Sequence, residues 1–321
     1  MVLSAIDTTD AFFGLVAATA AAMLWACATV MYRRIGRVLP PVRMNLVKNV
    51  MAATLLAVVI GVFWARSTEG GHPFMLPAGL MALLILSGVV GIGIGDTCFF
   101  AALNRIGARR TLLLFMLAPV ATAALGWPVL GESISVQQAV GIAVTVGGVA
   151  WVIAERNHAT SDGHVDALGV GFAIVAALCQ AGGALMTGYV FDHSDIAAAP
   201  SGLVRIVAGS AVLVFMLPLD KRIPEAGGAA ENHPKRPSVK RVWLMVVAAM
   251  FLGTFLGIWL QQVAFKSDET IGVAQTLLST SPLFVLPIVL MLGERVSWRA
   301  AIGAGISVVG VAVLFLRSSG N

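Results

Sequence analysis

Ten apolar segments run through the chain, at approximately 11–32, 43–64, 76–103, 110–130, 136–154, 167–190, 199–219, 242–265, 271–292 and 298–316. Each is close to the ~20 residues that an α-helix needs to cross a bilayer core. None alternates with period two, so they read as helices rather than strands. Lipid offers the backbone no water, and a helix closes its own hydrogen bonds within the segment. The segments leave only short connections between them, with 58% of the 321 residues hydrophobic and 12% charged. The expected fold is therefore an all-α polytopic membrane protein with ten transmembrane helices. That excludes an ordinary soluble enzyme. It also removes nucleic acid as the meaning of the +5 net charge, which here bears on orientation and anionic lipid. The first ten residues carry Asp7 and Asp10 but no Lys or Arg. With a full-length apolar run behind them, they read as the approach to a retained first span rather than a signal peptide.

Positive charge sorts by loop parity. Sixteen Lys and Arg lie in the odd-numbered connections, three (Arg66, Lys266, Arg317) in the even-numbered connections and termini, and two, Lys48 and Arg205, inside segments. The positive-inside rule then puts the odd loops in the cytoplasm and both termini outside. Short loops without a sorting signal point to a bacterial inner membrane. Trp64, Trp127, Trp151, Trp243 and Trp298 stand near segment ends, as an interfacial aromatic belt requires. The longest loop, 220–241, holds three prolines and mixed charge and reads as a flexible surface loop.

The two halves repeat. At an offset of 162 residues, Leu130-Gly131-Glu132 aligns with Leu292-Gly293-Glu294, Ser135 with Ser297, Gly141 and Gly148 with Gly303 and Gly310, and Gly91 and Gly95 with Gly253 and Gly257. At an offset of 157, Leu46-Val47-Lys48 aligns with Leu203-Val204-Arg205. The repeats are 11–154 and 167–316, joined by a linker at 155–166. Five spans per repeat is an odd number, so the second half enters the membrane inverted. Inverted repeats around a midplane site are the architecture of secondary transporters.

These residues also resemble the drug/metabolite transporter superfamily, in its ten-span group of two EamA repeats. The resembling stretches are Gly95-Asp96-Thr97 through Ala102-Leu103-Asn104-Arg105-Ile106-Gly107, then Ala118-Pro119, Leu130-Gly131-Glu132, Ser281-Pro282 and Gly293-Glu294-Arg295. The resemblance spans essentially the whole chain. It implies a basket-shaped fold with a central cavity lined by spans 1, 3, 4, 6, 8 and 9, and transport of small metabolites. Members export amino acids and other small metabolites, import others, or move sugar derivatives; export of a small polar metabolite such as an amino acid is the expected function. The resemblance also implies both termini inside, against the charge count.

Asp96 is the one carboxylate in the middle of a span. An Asp at the bilayer centre costs about 2.5–3.5 kcal/mol on insertion scales, so it should face the bundle interior or water. It could couple transport to a proton or cation, hold a substrate ammonium, or form a structural ion pair with Lys48. Lys48 and Arg205, about one turn inside spans 2 and 7, could attract an anion. Their long stems favour snorkelling to the near interface. The glycines at 88, 91, 93 and 95 permit close helix contact as G-x-x-x-G, as do Gly253 and Gly257. The string Gly93-x-Gly95-Asp96 resembles an intramembrane aspartyl protease motif, but the second mid-span carboxylate that such chemistry shares a proton with is missing.

Pro119, Pro128, Pro282 and Pro287 interrupt spans 4 and 9, and Pro119, Pro282 and Pro287 are candidates for the kinks of a gate. The candidate substrate-binding residues are Trp25, Asp96, Phe99, Gln180, Gln261, Ser279 and Ser281, since amides and hydroxyls can orient a polar ligand and aromatic faces can hold a cation. Glu132 and Glu294 end spans 4 and 9 and read as interfacial caps or partners for Arg. All five histidines lie in loops or at span ends and the three cysteines lie in apolar runs. Neither pattern suggests a catalytic set, a metal site or a cofactor. The expected partners are a small-molecule substrate, the lipid bilayer and a proton or cation.

Overall fold

The computed structural model describes residues 11–36, 38–66, 74–130, 136–154, 166–221, 239–267, 271–291 and 298–315. Its α-helices are α1 (Ala11–Ile35), α2 (Pro41–Arg66), α3 (Ala78–Gly88), α4 (Asp96–Phe115), α5 (Leu117–Leu130), α6 (Val136–Ala154), α7 (Ala167–Asp192), α8 (Ala198–Met216), α9 (Val239–Ala249), α10 (Gly257–Lys266), α11 (Ile271–Leu278), α12 (Ser281–Met291) and α13 (Trp298–Phe315). Among the described residues, six helical stretches are long and apolar enough to cross a membrane, and two shorter apolar helices accompany them. Their outer faces carry large apolar side chains, among them Phe215, Leu244 and Val58, with Trp64, Trp151, Trp243 and Trp298 exposed towards the ends. Apolar exposure on this scale suits lipid rather than water.

Each break in these helices has a local cause. Proline lacks an N–H and its ring clashes with the carbonyl four residues back. Pro119 and Pro282 stand four residues after Phe115 and Leu278, where α4 and α11 end. The hydroxyl of Ser281 donates to the freed Leu278 carbonyl at 2.7 Å. At Pro287 the helix runs on without a break. Gly107, with φ 78°, interrupts α4 where the third connection was expected. No other described residue has a positive φ, and a side chain there would be strained.

The long third span of each repeat contains a seven-residue π-helical segment, Val89–Gly95 in the first and Met250–Leu256 in the second. They start 161 residues apart, in step with the sequence repeat. A π turn loosens the regular i→i−4 ladder and commonly marks a functional position. Here neighbouring side chains take up the exposed carbonyls. Asn45 Nδ2 of α2 donates to the Ile92 and Gly93 carbonyls at 2.8 and 3.2 Å. Tyr32 Oη of α1 donates to the Ala249 carbonyl at 2.9 Å.

The repeats interlock. α1 packs against α9 to α12 of the second repeat, and α7 packs against α3 to α5 of the first. Small residues allow the approach: Ala18, Ala22, Ala26 and Ala28 in α1 are fully buried, as are Ala173, Ala181 and Ala184 in α7. At the far side α6 and α13 pair about a local two-fold. A Cβ at Gly148 would meet Ser307, and one at Gly310 would lie 2.5 Å from Thr145. Those two contacts interchange under the 162-residue offset, as an isologous interface demands.

Side-chain bonds separate the connections by parity. Asn104 Nδ2 donates to the Gly36 carbonyl at 3.3 Å, Arg105 pairs with Asp166 at 2.8 Å, and Arg43 lies 3.6 Å from Asp220. These contacts gather the first, third, fifth and seventh connections at one end. Leu76 and Ile196, from the second and sixth, share an apolar cluster. The end that gathers the odd connections is the cationic one.

Asp166 also caps α7, accepting from the Gly169 N–H at 3.1 Å. Partial burial pushes its carboxyl up, but the bonds from Arg105 and the Gly169 N–H outweigh that and hold it below the ordinary carboxylate value. The folded-state pKa is therefore below the unfolded one, so this stabilisation is present above the unfolded value and lost as pH falls through the folded value. Asp166→Asn keeps a capping oxygen but loses the charge. Its melting temperature is expected to fall below wild type near neutral pH, and the gap to close as pH drops below ~3.9. A gap constant with pH would show that the pair contributes nothing.

Candidate functional site

A cavity opens between the two repeats. The first repeat contributes Ala21 and Trp25 from α1, Ile92 and Asp96 at the π segment, and Phe115 and Ala118 at the Pro119 break. The second contributes Gln180, Arg205, Gly253, Gly257, Ile258 and Gln261, with Gln275, Leu278, Ser279 and Ser281 around the Pro282 break. Both π segments and both proline breaks thus border one space. The cavity is small, about 70 Å3.

Six of the seven candidate binding residues come together here: Trp25, Asp96, Gln180, Gln261, Ser279 and Ser281. Phe99 does not line the space. It is 1% exposed and packs behind Trp25, with ring centroids 5.5 Å apart and Phe115 at 5.2 Å on its other side. The hydroxyls of Ser279 and Ser281 donate to the Gln275 and Leu278 carbonyls of α11, so their free capacity is that of acceptors. Among the candidate kink residues, Pro119 and Pro282 are buried beside the cavity-lining Ala118 and Ser281, while Pro287 is exposed on the outer face. Glu132 and Glu294 lie outside the described residues, as does the side chain of Pro128.

Lys48 and Arg205 do not snorkel. Their burial corrects the interfacial expectation. Lys48 is 1% exposed and Arg205 2%. Lys48 Nζ donates to Asp96 Oδ2 and to Asn49 Oδ1, both at 2.8 Å, and stands 5.4 Å from the centre of the Phe100 ring. The structural pair weighed from sequence is present. Asp96 nonetheless keeps an edge on the cavity, with its side chain 14% exposed. A buried ammonium needs such partners, because an uncompensated charge in lipid-depth protein is costly.

Arg205 is held differently. Its Nη1 donates to Gln262 Oε1 at 2.6 Å, and Gln262 Nε2 donates to Ser201 Oγ at 2.8 Å. Glycines make the slot for the guanidinium: a Cβ at Gly91 or Gly183 would lie 3.2 or 3.4 Å from Nη2. This is the concrete use of the G-x-x-x-G stripe. No described residue accepts from Arg205 Nε, Gln275 Nε2 or Trp25 Nε1, although all three are buried. Residues of the cavity wall thus carry unpaired buried donors, and one of these residues is a permanent cation.

The sequence reading passed over Gln275 and did not place Arg205 in the site. Arg205 had a signal, a cation in each second span at matching repeat positions. Gln275 had the same warrant as the other mid-span amides.

A family model described as the EamA-like transporter family matches residues 12–154 and again 167–316. No curated protein matches the chain. One solved structure, described only as the crystal structure of a protein, is 16% identical with a TM-score of 0.66, over 94% of this chain and 96% of its own. That likeness concerns the fold alone.

Proposed function

The chain belongs to the EamA-like transporter family, and on that premise we propose that it is a secondary transporter exporting small polar metabolites such as amino acids. The observation that carries this reading is the cavity shared by both repeats, with Asp96 and Arg205 of opposite charge on its wall. A small zwitterion matches that wall in charge. Transport would proceed by alternating access, the repeats rocking about the cavity. The π segments and the breaks before Pro119 and Pro282 supply the compliant points, since each already has a loosened backbone ladder.

In this reading the ten spans expected from sequence cross a cytoplasmic membrane. The sixteen-to-three distribution of Lys and Arg supports the odd connections inside and both termini outside. Asp96 is the proposed coupling group. When the cavity opens, a proton arriving at its exposed edge would weaken the bond to Lys48 and change the charge facing the substrate. A competing reading, uncoupled facilitative carriage, draws on the same contact: Lys48 already neutralises Asp96 at 2.8 Å.

Counterflow in liposomes separates the two. Wild-type protein should exchange a labelled amino acid, and an imposed pH gradient should drive its accumulation. In Asp96→Asn the exchange should persist and the accumulation vanish. Exchange in wild type that ignores the gradient would leave the facilitative carrier, and no exchange of any amino acid would remove the substrate reading.

A further inference from the structure

We propose that Arg205, with Gln275 and Trp25, forms a carboxylate-binding subsite, so that the ligand of this cavity is an organic acid or the acid end of a zwitterion. The inference rests on the transporter reading of the same cavity. Three buried donors on residues that line this space have no described acceptor: Arg205 Nε, Gln275 Nε2 and Trp25 Nε1. Buried donors left unpaired are rare in folded proteins, and each calls for an explanation. Two of these side chains, Arg205 and Gln275, are 98% buried, so bulk solvent is not their partner. The group that satisfies them must be rich in acceptors.

The charge decides its type. The charged residues lining the cavity are Asp96 and Arg205, and Lys48, which does not line it, neutralises Asp96 at 2.8 Å. Arg205 keeps its charge under all physiological conditions. Its one described side-chain acceptor is the neutral amide of Gln262. A permanent guanidinium with unpaired donors beside it complements a carboxylate, which has two oxygens and no proton to clash. It opposes an amine. The guanidinium is also preorganised: Gln262 and Ser201 fix one side, and the glycines at 91 and 183 flank the other. Little ordering therefore remains to be done on binding.

Lys48 does not compete for the role, because it is behind Asp96 and away from the cavity. The exposed edge of Asp96, 14% of its side chain, adds selectivity at the other end of a zwitterion, where an ammonium would be accepted.

The test compares acid and amide pairs that differ in charge but hardly in shape: alanine with alaninamide, leucine with leucinamide, phenylalanine with phenylalaninamide. Thermal stabilisation of the purified full-length protein reads binding by mass action. In at least one pair the acid should bind tenfold or more tightly than its amide, with sodium chloride at equal concentration giving no matching shift. Arg205→Gln should erase the preference, by a factor of roughly ten to a hundred for a lost charged bond, and Arg205→Lys should restore part of it. No acid preference in any pair overturns the proposal, as does a preference that survives Arg205→Gln. If Arg205→Gln does not fold, the wild-type pairs still decide.

Liposome flux separates this from the broader reading. Movement of amides or amines without acids would refute the subsite and keep the transporter. No flux of any solute would refute the transporter, and the subsite with it.

Discussion

Replacing Asp96 with leucine is expected to lower stability by about 3–5 kcal/mol, the usual cost of stranding one member of a buried ion pair. Lys48→Met is expected to cost less. The asymmetry follows from where each charge sits. Lys48 is 1% exposed and loses its only described anionic partner in Asp96→Leu, keeping Asn49 Oδ1 and the Phe100 ring. Asp96, stranded by Lys48→Met, still has its 14% exposed edge on the cavity, where water can solvate it. The double variant Lys48→Met with Asp96→Leu should recover most of the loss, because apolar pairs of similar volume often replace buried ion pairs at little cost. Reversible denaturation of the purified protein in bicelles gives all four corners of the cycle. A coupling energy below about 0.5 kcal/mol would mean the two residues act independently. Equal losses in the two single variants would mean that the cavity does not hydrate Asp96.

Much of this arrangement is legible in the sequence. Apolar length and loop charge are one-dimensional quantities, and they specify helices, parity and repeats directly. The offset that pairs Gly148 with Gly310 corresponds to a real contact between α6 and α13, because an internal repeat must meet itself across its own axis. Proline acts at a fixed distance along the chain, so breaks at Phe115 and Leu278 follow from Pro119 and Pro282. The fate of Lys48 and Arg205 was harder to read. Sequence gives their depth in a span but not the rotation of the helix, and that rotation separates a snorkelling cation from a buried one. The partners that make burial tolerable, Asp96 and Gln262, are 48 and 57 residues away. Phe99 shows the converse limit. An aromatic near an acidic residue looks like a cavity wall, yet the next layer of packing claimed it.

The same helix contacts predict opposite outcomes for two glycine substitutions. Gly88→Ala is expected to destabilise the protein by about 1–3 kcal/mol or more, the range for overpacking a tight core. A Cβ there would lie 2.6 Å from the Cα of Arg205 and 2.8 Å from its carbonyl carbon, with the carbonyl oxygen nearer still. These are backbone atoms of α8, so no side-chain rotation relieves the clash and the two helices must separate. Gly209, on the α8 side of the same crossing, would place a Cβ 3.0 Å from the Gly88 carbonyl oxygen, which leaves little slack. Gly171→Ala on α7 should instead stabilise by about 0.5–1 kcal/mol, the helical preference of alanine over glycine, because nothing lies within 4 Å of its Cβ position. The functional consequence separates them further. Displacing the α8 backbone at position 205 moves the guanidinium out of its glycine slot, so Gly88→Ala should lose the acid-over-amide preference even at temperatures where it remains folded. Gly171→Ala should keep it. A Gly88→Ala protein that melts like wild type would show that α3 and α8 are not in backbone contact, and the placement of Arg205 on the cavity wall would fall with that contact.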